Sequence, residues 1–198
     1  MQIPDGYHDL EPGKVASVVT YVEMRQRPAW IDAPFPGELT PLSPFDLPAY
    51  RALFRKIGEP WLWFSRLRAT DEELRARLGA PGYRLFTFEG GVGLVELASG
   101  PGPGVEIALF GLDADARGLG KGRAMMALAL REAWSSSATR VWLHTCTLDD
   151  PRALGFYRKM GFQPYARGIE IATDPRLAGH LPETAAPQIP LIRKSPKP

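Results

Sequence analysis

The stretch ARGLGKGRAMM, residues 116–126, places glycines at three alternate positions among basic side chains and then enters an apolar helical pattern. Glycine lets the backbone approach a ligand closely, and the N-terminus of a helix offers N–H groups and positive partial charge to an anion. The sequence therefore predicts a phosphate-binding turn between a strand and a helix. Its residues are Arg117, Gly118, Leu119, Gly120, Lys121, Gly122 and Arg123.

Two common nucleotide-binding motifs do not fit this turn. The dinucleotide-binding pattern Gly-x-Gly-x-x-Gly requires a glycine where Arg123 stands. A Walker A loop requires Gly-Lys followed by Ser or Thr, whereas here Lys121 precedes Gly122. From the turn alone, an alternative interpretation is a strand-to-helix loop that has solvated charges and binds no ligand.

The segments around the turn predict an α/β chain with a mixed sheet. Strand-forming residues are concentrated at 15–26, on both sides of Glu89–Gly91 within 83–97, at 105–112, at 140–146 and in a final hairpin through GIEIA, residues 168–172. Apolar residues at helical spacing predict helices that begin near Asp46, Thr70, the glycine turn and Asp150. Strands and helices in this order are typical of the α/β class.

Local signals mark the ends of two of these helices. Thr70 and Glu73 have the spacing of a capping box, in which each residue bonds the backbone N–H of the other. In the last helix we expect Asp150 at the N-cap, Pro151 at the first helical position and Gly161 beyond the last turn.

Length and composition predict a single domain, residues 1–198, with extensions at both ends. With 44% hydrophobic residues, the chain can bury one substantial core. The core motifs are expected within residues 83–170. Residues 1–45 contribute a first strand and a proline-rich connection, and residues 174–198 form a proline-rich C-terminal extension.

Charge and composition disfavour several classes of protein. The net charge is +2, with basic residues spread among acidic ones, so no nucleic-acid partner is expected. One cysteine excludes an internal disulfide, and three scattered histidines offer no metal-ligand spacing, so no metal is expected. Because the sequence has no signal-peptide pattern and no run of eighteen apolar residues, we expect a cytoplasmic protein without a membrane partner.

Two motifs in the correct order resemble a known family. Arg117-x-x-Gly120-x-Gly122, at the head of a helix, resembles the acyl-CoA binding signature of the GNAT superfamily of N-acetyltransferases. DDPRALGFYRKMGF, residues 149–162, is similar to the second part of that family's pattern. The resemblance implies the GNAT-like acyl-CoA N-acyltransferase fold, a twisted and mostly antiparallel sheet with splayed parallel strands and about four flanking helices.

The same resemblance implies acetyl-CoA as the co-substrate. Backbone N–H groups of the glycine turn would bind the pyrophosphate, and the three basic side chains of the turn would add charge there or at the 3′-phosphate. In family members the pantetheine arm lies between the splayed strands and pairs with the main chain of the earlier strand, which implicates Phe110 and Leu112. The resemblance also assigns Asp150 to this cofactor-binding group.

Acetyl transfer to an amine involves two proton transfers. An amine with a pKa near 10 must lose a proton before it attacks, and the departing thiolate benefits from an acid. The resemblance assigns the acid role to Tyr157, on the helix after the second splayed strand. Since Tyr157 also lies on the apolar stripe of that helix, simple packing is the alternative.

We expect Glu106 to be the general base. By alternation along its strand it shares a face with Phe110, where a buried carboxylate would need a role. Glu106 also stands eleven residues before Arg117, which is the position of the base in histone-acetyltransferase-like members of the family. The alternative is a carboxylate that faces solvent or pairs with an arginine, and further candidates for the base are Glu96 and His144.

The segment EPWLWFSRL, residues 59–67, lies where family members shape the acceptor pocket. We expect most of its aromatic side chains to pack helices on the sheet and one or two to reach the cleft. Arg66 or Arg68 could recognise a carboxylate on the acceptor.

The sequence thus predicts an acetyl-CoA-dependent N-acetyltransferase with a small-molecule primary amine as its partner. Two alternatives stay open at this point: a lysine or N-terminal acetyltransferase that acts on proteins, and an acyl-CoA-binding module without catalysis. Homodimer formation is compatible with each of these hypotheses.

Overall fold

The computed structural model describes residues 4–135 and 137–193. Within these residues the strands are β1 (Lys14–Met24), β2 (Leu39–Pro41), β3 (Tyr83–Phe88), β4 (Gly93–Ser99), β5 (Gly104–Leu112), β6 (Arg140–Cys146) and β7 (Gln163–Thr173). The α-helices are α1 (Leu47–Gly58), α2 (Asp71–Leu78), α3 (Lys121–Trp134) and α4 (Ala153–Lys159). No helix among the described residues combines the length and the apolar character that crossing a bilayer requires.

All strands belong to one sheet with the order β2-β3-β4-β5-β6-β1-β7. Every neighbouring pair is antiparallel except β5 and β6, which run parallel. This parallel pair is short, because Gly104–Glu106 pairs with Arg140–Trp142 and the strands separate beyond that point. The predicted mixed sheet, mostly antiparallel with splayed parallel strands, is confirmed.

A β-bulge interrupts β5 where the two strands separate. Glu96 of β4 pairs with Leu109, whereas Leu97 pairs with Ile107, so Ala108 has no partner in the ladder. An extra residue reverses the alternation of side chains along a strand. Glu106 therefore does not share a face with Phe110, contrary to the expectation from simple alternation.

The two faces of the sheet carry different helices. Met125, Met126 and Leu130 of α3 are fully buried and pack on one face together with Tyr157 of α4. The other face is covered by α1 and α2, whose buried side chains include Tyr50, Phe54, Ile57, Leu74 and Leu78. Since Leu94 and Val95 are adjacent in β4 and belong to opposite clusters, the sheet lies between two apolar layers.

The predicted helix ends are partly correct. Thr70 accepts a hydrogen bond from the Glu73 N–H, and the Glu73 carboxylate accepts one from the Thr70 N–H, so the capping box is confirmed. The last helix begins at Ala153, not after an N-cap at Asp150. Asp150 instead accepts a hydrogen bond from the Arg152 N–H and closes a tight turn ahead of the helix.

The predicted final hairpin through residues 168–172 is wrong. These residues belong to β7, a single strand of eleven residues that pairs with β1 along its length. β1 also pairs with β6 on its other edge. The strand beside β7 is therefore β1, and not the second strand of a hairpin. Sequence signals for a strand do not specify its partner, which here comes from the other end of the sequence.

The proline-rich connection between β1 and α1 was predicted to be extended, but it is only partly so. Residues Ala29–Asp32 form a short 3₁₀ helix with Ile31 fully buried, and β2 pairs with the edge of β3. Arg131 of α3 donates hydrogen bonds to the carbonyls of Ile31 and Ala33, which fixes this connection against the helix.

The C-terminal extension has no helix or strand up to residue 193, and residues 194–198 of it lie outside the described residues. Its first part is held by Arg176, a buried guanidinium that pairs with Asp174 at 2.8 Å and donates to the Ala185 carbonyl. Leu181 is buried beside Leu62, which belongs to the loop after α1. The extension thus packs against the loop that was predicted to shape the acceptor pocket.

Trp63 of this loop packs so closely on α1 and β5 that both contacts require glycine. A Cβ atom on Gly58 would lie 2.4 Å from the Trp63 Cβ, and one on Gly111 would lie 2.6 Å from the Trp63 ring. By contrast, a Cβ on Gly155 of α4 would meet nothing within 4 Å.

We therefore expect opposite effects of alanine at two helical glycines. Gly155→Ala should raise the free energy of unfolding by up to about 1 kcal/mol, because alanine is the better helix former. Gly58→Ala should lower it by about 1 to 3 kcal/mol, because the added methyl overpacks the Trp63 contact. Urea denaturation of both variants measures this difference, and equal stabilisation by the two would contradict the packing of Trp63.

Candidate functional site

A cavity of about 740 Å³ opens where β5 and β6 separate. Its walls come from β5, β6, the loop after α1, the glycine turn and the first residues of α4. Such a cavity exists because β5 is paired on its other edge with β4 and β6 with β1, so neither strand can move to close the gap. The cavity therefore lies at the position predicted for acyl-CoA.

The glycine turn presents a row of free backbone donors at one end of the cavity. Gly118 and Gly120 have φ of +80° and +76°, a left-handed conformation that favours glycine, and a Cβ on either would meet nothing within 4 Å. The N–H groups of residues 118–122 donate to no acceptor in the described part of the chain. Together with the N-terminus of α3 they form a cradle suited to phosphate oxygens.

The three basic side chains of the turn point in different directions. Arg117 lines the cavity, lies 5.0 Å above the Trp61 ring and donates hydrogen bonds to the Leu112 carbonyl. Lys121 forms an ion pair with Glu89 at 2.6 Å. Arg123 stacks over Trp30, with its guanidinium 5.5 Å from the ring centroid. The structure therefore brings Arg117 to the cleft and engages Lys121 and Arg123 with side chains outside the cavity lining.

The other predicted cofactor-binding residues lie around this cradle. Phe110 and Leu112 line the cavity on the stretch of β5 that has no partner in β6. Asp150 also lines it and lies 3.8 Å from Arg117 and 2.7 Å from Arg152, which together compensate its charge. Leu119, at the tip of the turn, is exposed. Because Arg117 already binds the Leu112 carbonyl, a pantetheine amide would have to compete with it there.

Tyr157 reaches the cavity from α4. Its ring is 7% exposed and packs edge-on against Phe110, Phe156 and Phe162. The hydroxyl donates to no described residue, although the residue lines the cavity. Burial and the nearby Asp149 charge raise the pKa of this hydroxyl, so it keeps its proton at neutral pH. A buried, protonated and unpartnered hydroxyl is suited to donate a proton to a leaving group.

Glu106 reaches the cavity from the opposite face of the sheet. Its side chain is 26% exposed, and its Oε1 lies 3.8 Å from Nδ1 of His144, which also lines the cavity. Burial raises the pKa of Glu106, while His144, Arg66 and Arg77 act in the opposite direction. A carboxylate with a raised pKa beside an imidazole can accept a proton from an ammonium group.

Glu96, the other candidate carboxylate, is fully buried and closed to substrate. It accepts hydrogen bonds from the hydroxyls of Tyr50 and Tyr83, and Arg66 approaches it at 2.7 Å. Burial and the Glu96 charge raise the pKa of both tyrosines, so both remain donors at neutral pH. Glu96 therefore anchors the polar floor beneath the cavity, and Arg66 is occupied by it instead of being free for an acceptor carboxylate.

The loop after α1 contributes more aromatic side chains to the cavity than expected. Trp61, Trp63 and Phe64 all line it, where one or two aromatic residues were predicted. Trp63 crosses the cleft, and its indole N–H donates to Asp149 in the loop after β6 at 2.9 Å. Asp149 is itself fixed by the hydroxyl of Thr145 at 2.7 Å. This bridge joins the two sides of the cleft.

Several features of the site have no signal in the sequence that could have revealed them. The bulge at Ala108 and the bridge from Trp63 to Asp149 depend on the pairing of distant segments. Arg77, which lines the cavity from α2, looks like any exposed helical arginine in the sequence. Cys146 also lines the cavity, and burial raises the pKa of its thiol, which disfavours the reactive thiolate.

The fold agrees with comparisons to known proteins. The sequence model of the Acetyltransferase (GNAT) family matches residues 50–162, which contain both motifs. No curated protein is significantly similar to the chain.

Several solved structures have a similar fold. A conserved Staphylococcus epidermidis protein of unknown function has a TM-score of 0.56 and 14% identity, over 82% of this chain and 63% of that one. A GCN5-related N-acetyltransferase from Sphaerobacter thermophilus has a TM-score of 0.53 and 17% identity, over 82% and 52%. An acetyltransferase from Trypanosoma brucei has a TM-score of 0.51 and 22% identity, over 67% and 96%.

These structures are all less than 25% identical to the chain, so they show a similarity of fold alone. The chain spans less than two thirds of the length of the first two. The family match extends over more than half of the chain, and the splayed strands and glycine turn lie within it or at its edge. The chain therefore belongs to the GNAT family of acetyltransferases, a family of acyltransferases.

Proposed function

We propose that this protein transfers the acetyl group of acetyl-CoA to the primary amine of a small molecule. The observation that carries the proposal is the row of free N–H groups at residues 118–122. This row borders a cavity that is also lined by Tyr157, with a protonated hydroxyl, and by Glu106, with a carboxylate. Anion binding, an acid and a base are the functions that acetyl transfer from a thioester requires.

The chain's residues would act in a definite order. When bound, acetyl-CoA supplies a thioester whose carbonyl carbon accepts the amine. Glu106 takes the proton that the ammonium group must lose, so that nitrogen has a free electron pair for the new C–N bond. The C–S bond breaks as the carbonyl re-forms, and the Tyr157 hydroxyl donates its proton to the departing sulfur. The second proton of the nitrogen returns to the tyrosine oxygen and Glu106 releases its proton to water, so that the products are a neutral amide and a free thiol. Since Glu106 and Tyr157 approach from opposite faces of the sheet, each can serve one side of the reacting bond.

A small acceptor is favoured over a protein by the bridge across the cleft. Trp63 and Asp149 join its two sides, and Trp61 and Phe64 extend the same wall. A folded protein surface would have to displace this loop in order to present a lysine. The loop is fixed from below by Arg66 and Glu96 and from behind by Leu181 of the C-terminal extension.

The direct test is calorimetric titration with acetyl-CoA, followed by assays of thiol release with small primary amines and with a lysine peptide. Binding together with amine-dependent thiol release supports the proposal. Release with the peptide alone would assign a protein acceptor, and binding without any release would indicate a module that only binds acyl-CoA.

The phosphate cradle predicts a specific effect of valine at Gly120. Gly120→Val should weaken acetyl-CoA binding at least tenfold, because the side chain enters the open space above the free N–H groups and disturbs the left-handed turn. Gly179→Val is the matched control, since Gly179 has the same φ of +76° and equally open surroundings but lies in the C-terminal extension. Calorimetry with both variants should show loss of affinity in Gly120→Val alone.

The assignment of Glu106 predicts a change in the pH profile. A base acts when deprotonated, so kcat/KM should rise with pH through a pKa that burial has raised above the ordinary carboxyl range. Glu106→Gln should lower kcat by about a hundredfold or more and remove this rise. If the rise persists in Glu106→Gln and disappears in His144→Asn, His144 is the base and the assignment is wrong.

The assignment of Tyr157 predicts a defect in turnover without a defect in binding. Tyr157→Phe keeps the packed ring and removes only the hydroxyl, so kcat should fall about tenfold to a hundredfold while the affinity for acetyl-CoA stays constant. Tyr165→Phe, on the exposed strand β7 outside the cavity, should leave both quantities unchanged. An unaltered kcat in Tyr157→Phe would leave Tyr157 with a packing role only.

A further inference from the structure

Several charged side chains of the cavity lining are engaged by protein partners, whereas Arg77 and Glu170 have no ion pair or side-chain hydrogen bond within the described residues. Arg66 uses four of its five N–H donors on Glu96, Tyr83 and Ser65, so its charge is compensated and its guanidinium is held by protein partners. Arg117 and Arg152 share the carboxylate of Asp150 at the phosphate end of the cavity. These arginines therefore contribute no uncompensated charge to the end where the acceptor must enter.

Arg77 is different from the other arginines of the lining. It lies in the last turn of α2 and lines the cavity, yet no ion pair or hydrogen bond within residues 4–135 and 137–193 engages its guanidinium. Helix α2 ends shortly before Tyr83, which pairs with Ala98 across β3 and β4. Ala98 in turn pairs with Glu106 across β4 and β5, and Arg77 and Glu106 both line the cavity. The charge of Arg77 also lowers the pKa of the Glu106 carboxyl. An arginine with unused donors in a ligand cavity is suited to a carboxylate or another oxyanion.

Apart from His144, which lies 3.8 Å from Glu106, the lining also includes apolar side chains. Phe64, Ala98 and Leu109 are among them, and Ala98 is the direct neighbour of Glu106 across β4 and β5. Tyr83 completes this wall. Its hydroxyl is bound to Glu96, so its ring lines the cavity. Within the described residues, this end of the cavity thus combines the carboxylate of Glu106, the imidazole of His144, the unpaired guanidinium of Arg77 and apolar side chains.

We propose that the acceptor is a primary amine that also carries an anionic group on an apolar body, with the ammonium group beside Glu106 and the anion on Arg77. This inference rests on the proposed acetyl transfer and names its substrate class. An amino acid with a large apolar side chain has this chemistry. Polyamines do not, because the second ammonium group of a polyamine would meet the uncompensated charge of Arg77.

The carboxylate recognition that the sequence suggested for Arg66 or Arg68 thereby falls to another arginine. Arg68 stacks on Phe64, with its guanidinium 5.4 Å from the ring centroid, and does not line the cavity. The capping box at Thr70 fixes the start of α2, and this sets the direction in which Arg77 projects about two turns later. The sequence of α2 carries no ligand motif.

The test compares acceptors that differ only in the anionic group. Thiol release from acetyl-CoA is measured with L-phenylalanine and phenethylamine, with L-leucine and isoamylamine, and with spermidine. We expect kcat/KM for each amino acid to exceed that of its decarboxylated partner at least tenfold, and spermidine to be the poorest acceptor. Equal rates within each pair, or a preference for spermidine, would overturn the inference while leaving the proposed acetyl transfer intact.

Variants of two neighbouring arginines separate recognition from general charge effects. Arg77→Gln should raise KM for L-phenylalanine at least tenfold, change kcat far less and have a much smaller effect on KM for phenethylamine, which has no anion for Arg77 to bind. Arg77→Lys should restore part of the loss. Arg75→Gln is the matched control, because Arg75 is exposed on the same helix, pairs with Asp71 and does not line the cavity.

The failure of the inference can be distinguished from the failure of the proposed function. If acetyl-CoA binds but none of the amines releases thiol, both are overturned. If the amines release thiol and Arg77→Gln affects amino acids and simple amines alike, only the role of Arg77 is overturned.

Discussion

The site depends on one constraint of the sheet: β5 and β6 are each bound along their outer edges and share only three residue pairs between them. β4 pairs with β5 throughout, with the bulge at Ala108, and β1 pairs with β6 as far as Cys146. Main-chain donors and acceptors of β5 therefore remain without a strand partner exactly where the cavity opens. A ligand with amide groups can use them, which ordinary strand pairing would prevent.

Beneath the cavity, the buried carboxylate of Glu96 requires partners that compensate its charge. Burying a lone carboxylate is costly, and removing one partner of a buried ion pair typically costs about 3 to 5 kcal/mol. Here α1, β3 and the loop after α1 each contribute a donor to Glu96, through Tyr50, Tyr83 and Arg66. This network ties the aromatic wall of the cavity to the central sheet and explains why a charged residue occupies an otherwise apolar layer.

Local chemistry made much of the fold predictable from sequence. The capping box of Thr70 and Glu73 and the glycine turn follow from signals within a few residues, whereas the splayed parallel strands were implied by the resemblance to the family. Signals of this kind could not reveal the partner of β7, the bulge at Ala108 or the contact of Trp63 with Asp149, because each depends on segments far apart in the chain. The face of Glu106 was mispredicted for the same reason: one unpaired residue in β5 reversed the alternation.

The position of β1 has a consequence for how the molecule forms. β1 is an interior strand whose two neighbours, β6 and β7, lie at the other end of the sequence. Contacts between distant segments slow folding, because the loop between them must close before the pairing stabilises it. On the ribosome this valine-rich strand emerges well before either of its partners. Both of its edges stay unpaired until β6 and β7 have been synthesised, which exposes the strand to aggregation during synthesis.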